Sequence, residues 1–148
     1  MIWKSGNSSS DKTINYSNFD KLSGNPFWNE TTNELDISEY ARKMAVSTID
    51  IVVILLGTND SISGDFRSPT GSINSARTLI RAFIDYNPNI KIILEQTPPD
   101  ADTISSWHVY GDPTSYKSLM IGYRHNIFAL RKAIIDLCNE SEFTGNLF

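Results

Sequence analysis

Hydrophobic residues run almost without interruption in two stretches of the chain, and these stretches predict strands. Ile49 to Leu56 is aliphatic and β-branched apart from one Asp, a pattern typical of a parallel strand covered on both faces. Ile90 to Thr97 has a similar character and is followed by Pro98 and Pro99, which cannot continue a ladder. We therefore expect two buried strands, each followed by a polar loop.

Apolar residues at spacings of three and four predict helices around these strands. The first helix is expected to begin at the capping residue Asp36 and end near Ser47, the second to begin at Ser72 and end at Asn87, and the third to run from Tyr116 to Asn139. Residues 146–148 are interpreted as the opening of a third strand.

Alternation of helices and strands at these lengths predicts an α/β domain with right-handed crossovers, a parallel sheet and helices on both faces. Ligands bind such sheets beyond the carboxyl ends of the strands, so the loops after Leu56 and Thr97 are the expected site. We interpret residues 1–148 as one domain. Residues 1–35 lack a sustained period and are interpreted as a long irregular segment of it.

Composition excludes several function classes. The net charge is −4 and no basic run occurs, so nothing favours binding to nucleic acid. No apolar run approaches the roughly 20 residues of a membrane span. The chain has a single cysteine, Cys138, so an intrachain disulfide is excluded. It has neither a glycine-rich phosphate loop nor a Cys/His cluster, so we expect neither a cofactor nor a metal.

The loop Gly57-Thr58-Asn59-Asp60 carries the strongest chemical signal. Gly57 permits a sharp turn off a buried strand, where a side chain would clash or φ would be positive. Asn59 then presents a carboxamide whose N–H groups can stabilise a developing oxyanion. The alternative is an ordinary turn, in which Gly, Asn and Asp are favoured for local backbone reasons.

An apolar parallel strand that ends in G-x-N-D resembles the block that carries the oxyanion asparagine of the SGNH (GDSL-type) hydrolases. The resemblance extends to Asn25–Asn29, to Thr97-Pro98-Pro99, and to Tyr116 and Arg124–Ile127 in the last helix. It implies a three-layer, flavodoxin-like α/β/α fold. It also implies a serine esterase that acts on an O-acetylated carbohydrate or an acyl ester, with Asn59 as an oxyanion donor.

Substrate contacts are expected around the same loop. Gly57, Thr58 and Asp60 would shape it. Two aromatic residues are further candidates: Trp28 by stacking on a substrate and His108 by lining the pocket. For Trp28 the alternative is burial that holds the N-terminal segment to the sheet, and for His108 it is a solvated position in a loop.

Two of the family's catalytic blocks are missing. No G-D-S-type nucleophile block precedes the first strand, and neither histidine completes D-x-x-H, because Ser105 precedes His108 and Gly122 precedes His125 by three positions. We therefore expect a central fragment of such an enzyme, inactive by itself and prone to oligomerise or aggregate through exposed sheet edges. The alternative is a non-catalytic α/β domain that binds carbohydrate or a small ligand.

Overall fold

The computed structural model describes residues 2–3, 14–15, 27–29, 31–55, 57–96 and 113–148. Its strands are β1 (Ile2–Trp3), β2 (Ile14–Asn15), β3 (Trp28–Asn29), β4 (Glu34–Leu35), β5 (Ile51–Leu55) and β6 (Lys91–Glu95). Its α-helices are α1 (Ile37–Lys43), α2 (Thr58–Ser61), α3 (Thr70–Tyr86) and α4 (Pro113–Cys138), followed by a 3-10 turn at Ser141–Phe143.

The described residues include one small parallel sheet. Strand β5 pairs in parallel with β6, from Ile51 opposite Lys91 to Leu55 opposite Glu95. On the other edge of β6, Leu147 forms a parallel bridge with Ile92, and the Phe148 N–H donates to the Ile92 carbonyl at 2.9 Å. The expected opening of a third strand is present as this single parallel bridge, and the fold mixes helices and strands around a small parallel sheet.

Helices α3 and α4 contact each other. Both face the side of the sheet that carries Ile54 and Leu94, because residues of α3 and α4 line one cavity together with these two side chains. Most apolar positions that the sequence predicts for the buried stripes are buried: Ile73, Ala76, Ile80 and Phe83 on α3, and Tyr123, Ile127, Leu130, Ile134 and Leu137 on α4. The predicted positions Ile84 and Leu119 are half-buried. Bidentate hydrogen bonds from Arg77 to Glu140, at 2.6 and 3.1 Å, hold the segment after α4 against α3. This attachment places residues 146–148 beside β6.

The opposite face of the sheet, called the bare face below, differs from the expectation. Its side chains are largely exposed: Ile51 (65%), Val53 (51%), Leu55 (40%), Ile93 (41%) and Phe148 (61%). The continuous apolar run predicts cover on both faces, whereas the described helices lie on one. The run identifies residues suited to burial, but it cannot specify which segment buries them.

The N-terminal region contains more regular structure than its sequence predicts. Strands β1 and β2 form one antiparallel pair, and β3 and β4 form another. Each strand is two residues long, too short for an alternation of polar and apolar positions to show. Phe27 is buried, stacks on Tyr40 of α1 with 4.2 Å between ring centroids, and meets Phe83 edge-on. The hairpin is thereby packed against the end of α3.

Helix ends follow the predicted signals in some places and differ in others. Asp36 caps α1 as expected, accepting the Glu39 N–H at 2.9 Å, and Asn87 ends α3. The prediction that Ser72 caps α3 is wrong, because α3 begins at Thr70 and the Ser72 hydroxyl donates to Asp60 instead. No helix within the described ranges is long and apolar enough to cross a membrane.

Candidate active site

Gly57 turns the chain at the carboxyl end of β5. Its φ is +96°, a value that favours glycine, and a Cβ there would overlap the Leu130 side chain of α4. The steric clash and the positive φ that the sequence suggests at this glycine are therefore both confirmed. The turn brings the following residues over the end of the sheet, where parallel sheets bind ligands.

The residues after Gly57 form one helical turn, α2, where the sequence predicts an irregular loop. The Gly57 carbonyl accepts both the Ser61 N–H at 3.0 Å and the Ser61 hydroxyl at 2.7 Å. Asp60 accepts the Ser72 hydroxyl of α3 at 3.1 Å. The turn is thus tied to its own start and to the first turn of α3.

Asn59 lies in the middle of this turn. The structure describes the backbone of Thr58 and Asn59 in α2, and the side chains of both lie outside what it describes. Asp60 is exposed and Gly57 is half-buried. The backbone of the candidate loop is therefore located at the carboxyl edge of β5, next to α3 and α4.

The segment after α2 rests on α4 through contacts that the sequence does not predict. Asn126, only 3% exposed, donates to the carbonyls of Ser61 and Asp65 at 3.1 and 3.0 Å and accepts the Arg67 N–H at 2.7 Å. One signal was present in the sequence, because Asn126 occupies a position beside Ile127 on the apolar stripe of α4. A polar residue at such a position requires partners.

Two further contacts hold the same segment. A Cβ on Gly122 would overlap the Ser63 carbonyl oxygen, so the missing side chain permits this close approach. His125 stacks on Phe66 with 3.9 Å between ring centroids. Residues 61–67 are consequently fixed against one face of α4 by hydrogen bonds, by close backbone contact and by ring stacking.

The two aromatic candidates are not brought to this loop. Trp28 is half-buried in β3, and its indole N–H is buried without a partner among the described residues. Its neighbour Phe27 packs on Phe83, eleven residues along α3 from Ser72, which corresponds to about 16 Å of helix. Trp28 and the Gly57 loop therefore lie near opposite ends of α3, and His108 lies outside the described residues.

No serine is paired with a histidine in the part of the chain that the structure describes. The Ser61 hydroxyl donates to the Gly57 carbonyl, and the Ser63 hydroxyl accepts the Asp65 N–H at 3.1 Å. Burial raises the pKa of the Cys138 thiol, which lowers its thiolate fraction and its reactivity. Among these residues there is also no group of three or more His, Cys, Asp or Glu side chains that could hold a metal.

A cavity of about 10 Å³ lies beneath the Gly57 turn. Its lining is almost entirely apolar and includes Ile54, Leu94, Leu130 and Ile134. This volume admits at most about one water molecule. The cavity is a small space between the sheet and its helices, too small for an organic ligand.

Comparison of the chain with protein-family models, with curated proteins and with solved structures finds no match. A resemblance to SGNH hydrolases therefore rests on the residues of the chain itself, above all on the strand that ends at Gly57 and on Asn59 beyond it.

Proposed function

We propose that this chain contributes the oxyanion loop of a serine ester hydrolase of the SGNH type. In this proposal the Asn59 carboxamide donates a hydrogen bond to the oxygen that becomes negative during acyl transfer. The observation that carries it is the Gly57 turn. A parallel strand ends there at a glycine with φ +96° and continues directly into a helical turn that contains Asn59.

The position of this turn supports the proposed chemistry. Attack on an ester carbonyl concentrates negative charge on one oxygen, and a donor that is already held in place stabilises that charge without further reorganisation. Ser61 and Asp60 anchor the turn at 2.7 and 3.1 Å to Gly57 and Ser72. A backbone held in this way restricts where a side chain at position 59 can reach.

The nucleophile and the base of the proposed enzyme come from residues other than those described. A serine would attack the ester, a histidine would take its proton, and an acyl-enzyme would form before hydrolysis. The substrate class is an O-acetylated carbohydrate or another acyl ester. No substrate contact is assigned to Trp28, because its hairpin packs at the other end of α3.

The proposal includes the finer fold assignment, a three-layer flavodoxin-like architecture. Helices α3 and α4, which contact each other and line a cavity with Ile54 and Leu94 of the sheet, would supply one outer layer. The exposed side chains of Ile51, Val53 and Leu55 support a second layer over the bare face, because parallel sheets are normally covered on both sides.

Replacement of Asn59 by Ala in the complete protein tests the assignment. We expect kcat on an acetyl ester to fall roughly 10²–10³-fold with little change in KM, the scale for loss of one oxyanion donor. The matched control is Asn89→Ala, an exposed asparagine at the amino end of β6, which should leave kcat unchanged. Turnover of Asn59→Ala within threefold of the parent would exclude the role.

A non-catalytic α/β domain that binds carbohydrate or a small ligand is the second candidate. The lack of a serine–histidine pair among the described residues favours it. A fluorophosphonate probe separates the two, because an esterase that contains this chain should be labelled once per molecule. Absence of labelling in the complete protein, together with calorimetric binding of an O-acetylated oligosaccharide, would support the binding domain.

A further inference from the structure

Asn126 joins α4 to the segment that follows the candidate loop. Its side chain makes three hydrogen bonds, all to backbone groups between Ser61 and Arg67. The residues joined are 59 to 65 positions apart in the sequence. An amide with both oxygen and nitrogen engaged has a single acceptable orientation, so it fixes direction as well as distance.

The surroundings of Asn126 make this a built contact. At 3% exposure its amide is shielded from water, where an unsatisfied polar group is costly. Gly122, one turn earlier, lets the backbone at Ser63 approach α4 closely. His125 adds a stacked contact to Phe66 on the exposed side.

A short path of contacts connects Asn126 to Asn59. The Ser61 carbonyl accepts from the Asn126 amide, while the Ser61 N–H and hydroxyl both bind the Gly57 carbonyl. Asn59 lies between these two anchored residues in the single turn of α2. Movement at Ser61 must therefore move the turn that carries Asn59.

We propose that Asn126 is a positioning residue, which holds the α2 turn so that Asn59 meets the reacting oxygen. This inference rests on the proposed function and adds to it a residue on another element, far away in the sequence. Catalytic groups tolerate little displacement, since a shift of about 1 Å can cost roughly 10²-fold in rate. Loss of the Asn126 hydrogen bonds should therefore reduce catalysis while substrate binding is retained.

Hydrogen exchange tests the mechanical part of the proposal without any substrate. The Arg67 amide donates to the Asn126 oxygen at 2.7 Å, so Asn126→Leu should lower its protection roughly tenfold, as expected for loss of a buried hydrogen bond. Asn139→Leu is the matched control, because among the described residues the Asn139 side chain donates only to the Ile135 carbonyl in the last turn of α4. Unchanged Arg67 protection in Asn126→Leu would overturn the proposal.

Asn126→Asp gives an independent test that retains the side-chain shape. An ionised carboxylate would face the Ser61 and Asp65 carbonyls, and burial would raise its pKa above the unfolded value. A raised pKa means that docking of the segment is retained at low pH and lost as pH rises through the folded pKa. Arg67 protection relative to the parent should therefore fall with increasing pH in this variant.

The parent has no titrating group at position 126, so its own profile is the reference. The ionisable side chains around position 126 are Asp60, Asp65 and Arg67 on the docked segment and Tyr123, Arg124 and His125 on α4. Because parent and variant share these side chains, the ratio of Arg67 protection in the variant to that in the parent, taken at each pH, removes their contribution to the pH dependence. A ratio that stays constant with pH would contradict the proposal, even if Asn126→Leu failed to fold.

A double-mutant cycle in the complete protein tests the link to catalysis. Asn126→Leu alone should lower kcat at least tenfold with KM changed less than threefold. In the Asn59→Ala background the same substitution should change kcat less than threefold, because contacts that act through one group are not additive. An equal loss in both backgrounds would show a general structural effect and overturn the positioning role.

The two proposals fail in different ways. If Asn59→Ala leaves kcat unchanged, the proposed function falls, and the hydrogen-exchange experiments still decide whether Asn126 holds the turn. If Asn59→Ala lowers kcat while Asn126→Leu leaves it unchanged, the oxyanion assignment stands and Asn126 is excluded as a positioning residue.

Discussion

The two faces of the parallel sheet are built from the same strands but differ sharply in cover. Ile54 and Ile92 point toward α3 and α4 and are 4% and 0% exposed, whereas their neighbours Val53 and Ile93 are 51% and 41% exposed. On the bare face Ile51, Val53, Leu55 and Ile93 are aliphatic like the covered residues, whereas Lys91 and Glu95 at the two ends of β6 are charged. A face adapted to water would carry polar residues throughout, so the middle of the bare face has the composition of an interior surface.

The largest expected effect comes from a pair of adjacent isoleucines on β6. Ile92→Ala should lower the free energy of unfolding by about 2–5 kcal/mol, the usual range for truncation in a closed core. Ile93→Ala, with the same change in volume, should cost less than about 1 kcal/mol because much of its side chain is already in water. Urea denaturation of both variants measures the difference.

An equal loss in the two variants would mean that Ile93 is packed in solution as tightly as Ile92, and that the bare face is covered.

A second prediction concerns the carboxyl end of the covered face, where Gly57 meets α4. Gly57→Ala should destabilise the protein by roughly 1–3 kcal/mol, since the new Cβ overlaps Leu130 and the φ of +96° strains any other residue. Gly71→Ala is the control, because nothing lies within 4 Å of its Cβ position in α3. That change should stabilise by about 0.5–1 kcal/mol.

Thermal unfolding of the two glycine variants should therefore shift in opposite directions. A shift in the same direction would show that the close contact between the Gly57 turn and α4 is not maintained in solution.

The bare face itself predicts self-association of the chain. Contiguous apolar surface of this kind marks an interaction site, and a charge in its centre should weaken association. We expect Val53→Lys to lower the association constant about tenfold, or about 1.4 kcal/mol, in sedimentation velocity. Ile135→Lys places the same charge on α4, at a residue that is also about half exposed (51%), and should have little effect.

Self-association that responds equally to the two lysines would locate the contact elsewhere. A parent chain that stays monomeric at all concentrations would contradict the prediction of self-association.

The smallest effect on the free energy of unfolding is expected at the N-terminal cap of α1. Hydrogen bonds from the Asn29 side chain and from the Glu39 N–H hold the pKa of Asp36 below its ordinary value. A depressed folded pKa means that the contribution is present above about pH 4 and is lost as the pH falls. Asp36→Ala should cost about 1 kcal/mol near neutral pH.

Unfolding measurements near neutral pH and at about pH 3 should show the cost of Asp36→Ala shrinking in acid. Asp85→Ala, at an exposed position near the end of α3, is the control and should change the free energy of unfolding little in either measurement. A cost that does not depend on pH would indicate lost packing instead of a lost charged cap.

Elements with strong local patterns were predictable from the sequence. Helices α3 and α4 follow their apolar spacing, Asp36 caps α1, and residues 146–148 add to the sheet. The Gly57 turn was predictable too, because a glycine at the end of a buried strand implies a restricted backbone. In each case the signal lies within a few residues of the feature.

The remaining features depend on contacts between distant parts of the chain. The Ser72 hydroxyl donates to Asp60 instead of capping its own helix. The Asn126 side chain forms hydrogen bonds with residues about sixty positions earlier. The position of Trp28 depends on where its neighbour Phe27 meets Phe83 on α3. No local pattern determines which of several polar or aromatic groups will meet in the fold.

Among the described residues no strand pairs with the outer edge of β5, and this has a topological consequence. Both described crossovers, through α3 and α4, lie on the same side of the sheet, and each adds its strand in the same direction, from β5 to β6 to Leu147. A strand that joins the other edge of β5 through a crossover on the bare face would reverse that direction. The loops at such a reversal diverge above and below the sheet and leave a crevice between them, and this crevice would open beside Gly57.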